Sequence, residues 1–303
     1  MPRARNRDLA EIFGYAPNDL SPTARYFWDL EACPFISKKC SKYNHDQTIT
    51  YGTCSVRTKD KEIIICPNRL YAEDFLSIRN VVADAFGTNV PLFDFSEYLK
   101  KRKSIKKFVV ALGQNSGREI NVGRSLSMDW VLALIENKFL IEYTGIEVQS
   151  IDITGNYRDA WHAYKNLPSR PSAQIPESRH GLNWANVHKR LIPQLIRKGL
   201  VYSRSSYVKK GLYFILPDIV FKKFEGVVGD LNAIEFPNQK TITVQTYELA
   251  PTVPAGNQRQ LKMVRQIRFG LDEFSEKFIS GPNLPTGQEL DEAVKRHLRI
   301  TRE

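Results

Sequence analysis

The stretch Gly145-Ile146-Glu147-Val148-Gln149-Ser150-Ile151-Asp152-Ile153 decides the architecture. It is rich in β-branched residues and alternates polar with apolar positions, the signature of a half-buried strand. Successive side chains of a strand point to opposite faces. Glu147 and Gln149 therefore share one face, and Ile146 and Val148 take the other. Asp152 falls on the opposite parity from Glu147, which suits a structural role in ordering the loop. Upstream, Ser127-Met128-Asp129-Trp130-Val131-Leu132-Ala133-Leu134-Ile135 is apolar with one acid near its start. Placed beside the first run in a small sheet, it brings Asp129 to the same sheet end as Glu147.

Further strands follow on either side. Phe108-Val109-Val110-Ala111-Leu112 predicts a buried strand after the basic run from Tyr98 to Lys107, and Gly211 to Pro217 predicts a strand stopped by its proline. Lys240 to Leu249 alternates like another, and Glu62-Ile63-Ile64-Ile65 forms a short one that delivers Cys66 at its end. Helical spacing runs from Asp74 to Phe86, through Phe75, Ile78, Val82 and Phe86, and again from Gln288 to Leu298. Trp184 to Ile192 opens a helix that Pro193 and Gly199 interrupt, and 251–258 is a loop. The sum is an α/β (α+β) fold with a mixed sheet flanked by helices. It divides into an N-terminal region, 1–90, and a main domain, 91–303.

The chain has 303 residues, 44 Lys+Arg against 33 Asp+Glu, and a formal charge of +11. That excess favours a polyanionic partner, because each neutralised phosphate releases condensed counterions. No stretch has the length of a membrane span, and the basic start Met1-Pro2-Arg3-Ala4-Arg5 lacks the apolar segment of a secretion signal. A soluble cytoplasmic protein with no membrane partner is expected. Four cysteines, Cys33, Cys40, Cys54 and Cys66, lie in one N-terminal stretch. In a reducing compartment such a cluster points to a metal site, and four thiolates suit zinc or iron equally. Two disulfides, or four unrelated thiols, are the other readings. The segment also carries Lys38, Lys39, Lys42, Arg57, Lys59 and Lys61, so a structural metal here would shape a DNA-binding platform.

Two carboxylates at one sheet end hold hard divalent ions such as Mg²⁺, which activate water and neutralise a phosphoryl group. An acid, a gap, then acid-x-lysine is the PD-(D/E)xK nuclease pattern. Here Gln149 stands in the lysine position. Several segments together resemble the NotI family of type II restriction endonucleases. They are Arg7-Asp8-Leu9-Ala10-Glu11-Ile12-Phe13-Gly14-Tyr15-Ala16-Pro17, the cysteine block with Cys66-Pro67-Asn68-Arg69-Leu70-Tyr71, and Gly145 to Tyr157. The resemblance covers roughly the first half of the chain and suggests a compact member. It implies a PD-(D/E)xK-type core, iron in the four-cysteine site, and catalytic roles for Asp129, Glu147 and Gln149, since the family also carries glutamine there. It further implies Glu119, from the helical segment Gly117-Arg118-Glu119-Ile120, as an additional acid, with Glu142 as its competitor.

The same resemblance implies Mg²⁺-dependent double-strand cuts at a GC-rich palindrome, GGCC-centred and CGGCCG-like, leaving 5′ overhangs. A cognate DNA methyltransferase would share that site without having to bind this chain. Palindromes are matched by twofold-symmetric homodimers. Guanine offers N7 and O6 to arginine or lysine in the major groove. Candidate contacts with double-stranded DNA are Arg179, His180, Asn183, His188, Lys189 and Arg190, with Arg170 and Arg204 nearby. Each has phosphate contact or simple solvent exposure as its ordinary explanation. His162, His180 and His188 raise the ββα-metal type of nuclease, but no accompanying motif surrounds them. A non-catalytic, sequence-specific DNA-binding regulator with a structural four-cysteine site is the main alternative; it accounts for charge and thiols but leaves the carboxylates without a task.

Overall fold

A computed structural model of the chain describes residues 6–59, 61–113, 120–122, 126–281, 284 and 286–298. In the N-terminal region, strands β1 (Arg7–Ile12), β2 (Thr53–Thr58) and β3 (Lys61–Ile64) form an antiparallel sheet with β2 in the centre. Helices α1 (Pro22–Leu30) and α2 (Ala72–Phe86) belong to the same region. Ser21 caps α1 by accepting from Ala24 N, and Pro22 occupies the first turn, where a missing N–H costs nothing.

The dominant element is a seven-stranded mixed sheet. Its strands are β4 (Leu92–Phe93), β5 (Lys107–Gly113), β6 (Trp130–Glu136), β7 (Phe139–Val148), β8 (Leu212–Pro217), β9 (Thr241–Leu249) and β10 (Leu261–Gly270), lying side by side in chain order. β5, β6 and β7 form an antiparallel meander; β7, β8 and β9 run parallel, and β10 closes the edge antiparallel. β8 is buried along its whole length, as expected of a central parallel strand covered on both faces. The mixed sheet flanked by helices is as the sequence predicts.

Each parallel connection is long enough to carry helices, and these cover the sheet. The β7-to-β8 connection holds α3 (Arg158–Lys165), a π-helical turn at Val187–Leu191, and α4 (Ile192–Tyr202). Helices α5 (Asp218–Val228), α6 (Leu271–Ser280) and α7 (Gly287–Leu298) follow. On one face, α2 meets the polar side of the sheet: Tyr213 donates to Asp84, and Asn80 donates to Tyr247. On the other, Phe214, Phe221, Phe224, Phe269 and Phe274 build an aromatic layer beneath α5 and α6. A single cluster of buried side chains runs from Leu9 to Phe274, so the N-terminal sheet and the large sheet share a core.

Two local readings change. The stretch predicted as helix from Asp74 begins with Glu73, Asp74 and Phe75 in left-handed backbone before it turns regular. There Glu73 accepts from Leu261 N, and Phe75 packs on Trp130. Pro193 and Gly199 do not interrupt α4. Proline cannot bond the carbonyl one turn back, and the wider π turn immediately before it absorbs that defect. At Gly199 the missing side chain makes room for Leu271 of α6.

Gly145 sets how closely α4 can lie on β7. A Cβ there would stand 2.0 Å from Tyr202 Cζ. Gly145→Ala is therefore expected to lift α4 and to cost about 1–3 kcal/mol in urea unfolding. Gly226→Ala in α5, where a Cβ meets nothing within 4 Å, is expected to be neutral or stabilising. Equal stability of the two variants would contradict this account of the α4 seat.

Candidate functional site

β6 and β7 pair so that Trp130 lies opposite Ile146, which sets Asp129 beside Glu147 at the sheet end. Asp129 Oδ2 accepts from Val148 N at 3.0 Å, and the half-buried carboxylate is fixed by the strand it faces. Glu147 is 3 % exposed and lies close enough to Asp129 to feel its charge. Its Oε1 has no partner among the described residues. Its Oε2 accepts from the Nζ of Lys198, itself buried, which descends from α4. Burial and the neighbouring Asp129 charge push Glu147 up to about 8, against the opposing pull of Lys198. Two carboxylates thus converge with one oxygen unsatisfied, an arrangement suited to a hard divalent cation that completes its shell with water and phosphate oxygens.

Gln149 extends the parallel pairing, its N–H donating to Ile215 O at 2.9 Å. Its side chain lies at the junction of two hollows. A small one is lined by Glu147, Leu191, Gln194, Leu195 and Phe214. The other, a cleft of about 190 Å³, is walled by Lys42, Pro67, Asp152, Asn183, Asn186 and Arg190 among others. Asp152 orders that wall, accepting from Asn186 Nδ2 at 2.8 Å and, through its carbonyl, from Asn183 N. Gln149 thus adjoins both the hollow at Glu147 and a polar cleft whose lining carries Lys42 and Arg190.

The other predicted residues fall in different places. Glu119 and most of its predicted helical segment lie outside the described residues; Ile120, at the segment's end, begins a strand, Ile120–Val122, that pairs with Leu126–Met128. Glu142 is in β7 opposite Leu134. Five residues from Glu147, it sits about 16 Å away along the strand and on the opposite face, so it does not join the site. Arg179, Lys189 and Arg190 are exposed, Asn183 is half-buried, and the side chain of His188 lies outside the described residues. His180 corrects the expectation of a surface contact: it is fully buried, with Nδ1 bonded to Ser178 Oγ at 2.7 Å. Burial and the Arg7 charge hold it below the usual histidine value, and it acts as part of the core.

Lys198 was not among the predicted residues. Its signal was present: Ile192, Leu195, Gly199 and Tyr202 mark a buried helical stripe, and Lys198 lies within it.

The four cysteines are all buried and unpaired as disulfides. Backbone N–H groups turn toward their sulfurs: Phe35 and Ile36 toward Cys33, Lys42 toward Cys40, Asn68 and Arg69 toward Cys66. Burial, with contributions from one another's charge, raises Cys33 to about 11 and Cys40 to about 12, and raises Cys54 as well; burial alone dominates at Cys66. The donor chemistry suits a thiophilic cation. The spacing does not close on one: among the described residues no three His, Cys, Asp or Glu side chains stand close enough to share an ion. Just beyond Cys66, Tyr71 accepts from Trp130 Nε1 at 3.0 Å, which links this segment to the residue adjoining Asp129.

No family model matches the chain, and no curated protein is recognisably similar to it in sequence. No helix among the described residues is long and apolar enough to cross a membrane.

Proposed function

We propose that the chain is a Mg²⁺-dependent type II restriction endonuclease with a PD-(D/E)xK-type core. The observation that carries the reading is the convergence of Asp129 and Glu147 at the end of a mixed sheet, one oxygen unsatisfied, beside a polar cleft flanked by Lys42 and Arg190. Asp129 and Glu147 would hold Mg²⁺. When bound, the ion lowers the pKa of water and offsets the charge that builds on the phosphoryl oxygens. Gln149, which lines the hollow beside Glu147, would orient the attacking water through its amide. Lys189 and Arg190, exposed on the π turn, would meet the DNA backbone or guanine edges. The net charge of +11 suits that partner.

The finer assignment rests on the motif resemblance to the NotI family. It comprises cleavage within a GGCC-centred palindrome such as CGGCCG, 5′ overhangs, a homodimer, and a methyltransferase of the same specificity. Plasmid digestion with Mg²⁺ or with EDTA, followed by end sequencing, tests it. Discrete Mg²⁺-dependent fragments sharing palindromic ends are expected. Asp129→Ala and Glu147→Ala should each lose on the order of 10³-fold or more in cleavage while retaining duplex binding. Equal cleavage by these variants would refute the assignment.

In the N-terminal segment we propose a structural iron or zinc ion that draws Cys33, Cys40, Cys54 and Cys66 together. Elemental analysis of the purified protein should find one ion per chain, lost in Cys66→Ser. A metal-free wild type that folds and binds DNA would make the thiols ordinary core residues.

A further inference from the structure

We infer that Lys198 supplies the ammonium that the strand lacks at position 149, so that the cation of this active site comes from a helix across the sheet rather than from the strand itself. The inference rests on the nuclease reading above. Position 149, two residues beyond Glu147 and on its face, carries an uncharged amide. An amide can orient water but cannot offset the charge of a phosphoryl transition state. Lys198 is 8 % exposed, an uncommon place for a lysine, and the elements around it explain how it gets there. The π turn carries the chain past Pro193, Gly145 lets α4 settle on β7, and the stripe Leu195–Tyr202 buries the stem.

An ammonium has three N–H donors, and Glu147 Oε2 accepts one of them. Leu191, Gln194 and Leu195, on the same helical segment, line the hollow that Glu147 and Gln149 share. In the proposed complex the remaining donors of Lys198, held beside Glu147, would turn to a non-bridging phosphate oxygen and to the attacking water. In the reaction, the water oxygen bonds to phosphorus as the P–O3′ bond breaks. The water proton passes to solvent, and the departing O3′ takes a proton from solvent. Lys198 transfers no proton in this scheme; its hydrogen bonds offset the negative charge that accumulates on the phosphoryl oxygens.

The test compares wild type, Lys198→Met, Lys198→Arg and the double variant Lys198→Met with Gln149→Lys. Plasmid cleavage in Mg²⁺, and duplex binding and calorimetric Ca²⁺ titration in the absence of turnover, are the readouts. Lys198→Met should lower kcat about 100-fold, the usual effect of removing one transition-state donor, with little change in KM or duplex binding. It should bind Ca²⁺ more tightly, because the ammonium no longer competes for Glu147. Lys198→Arg should retain part of the activity. The double variant, with the lysine returned to the strand, should regain about tenfold over Lys198→Met. Wild-type cleavage by Lys198→Met, or loss of duplex binding and folding together with no rescue by the double variant, would overturn the inference. A wild type that cuts no duplex under any divalent ion would sink the nuclease reading, and this assignment with it. Intact wild-type cleavage with an indifferent Lys198→Met sinks this one alone.

Discussion

Two carboxylates held side by side in a buried sheet end are the constraint on which the rest of this structure turns. Asp129 and Glu147 repel one another, and burial withholds from Glu147 the water that would screen it. Such a pair is stable only if a proton or a cation intervenes. In this structure the cation is Lys198, and removing one partner of a buried ion pair of this kind typically costs about 3–5 kcal/mol. Placing that lysine involves much else: the glycine at 145, the π turn before Pro193, and the contact of Tyr202 with Tyr143 that seats α4 on β7. On the nuclease reading proposed above, a divalent ion would relieve the same tension by satisfying both carboxylates.

The N-terminal region supports this site from behind. Arg69 is fully buried and bonds Glu11 through two nitrogens, at 2.9 and 3.0 Å, while its Nη2 also donates to Arg259 O at 2.7 Å. One side chain thus ties β1, the turn after Cys66, and the approach to β10. Tyr71, two residues on, meets Trp130 next to Asp129. The cysteine segment and the carboxylates are therefore joined by a short run of packed aromatic rings, and Lys42 carries the same segment to the wall of the polar cleft. A structural ion among the thiols would stiffen this support without touching the chemistry.

Much of the arrangement was legible in the sequence. Parity along β7 placed Glu147 and Gln149 on one face, and the single acid at the start of β6 was enough to bring Asp129 alongside. Both follow from the two-residue period of a strand, which is local. What escaped was non-local. Lys198 lies 51 residues from Glu147, in a helix that Pro193 and Gly199 seemed to break; neither does, because a π turn and a neighbouring leucine accommodate them. Glu142 looked equivalent to other acids until the strand register put it at the far end and on the other face. His180 looked like a surface group in a basic stretch, yet the short pairing of Ile153–Thr154 with Gly181–Leu182 draws it inward. Charge and polarity announce that a residue can reach a ligand, whereas tertiary packing determines whether it faces one.

The claim that Asp129 and Glu147 form a divalent-cation site is tested most directly by crystals grown with Mn²⁺ and measured for its anomalous signal. The account predicts one peak per chain at the Asp129–Glu147 pair. A map without that peak at saturating Mn²⁺, with Glu147 still paired to Lys198 alone, would contradict it.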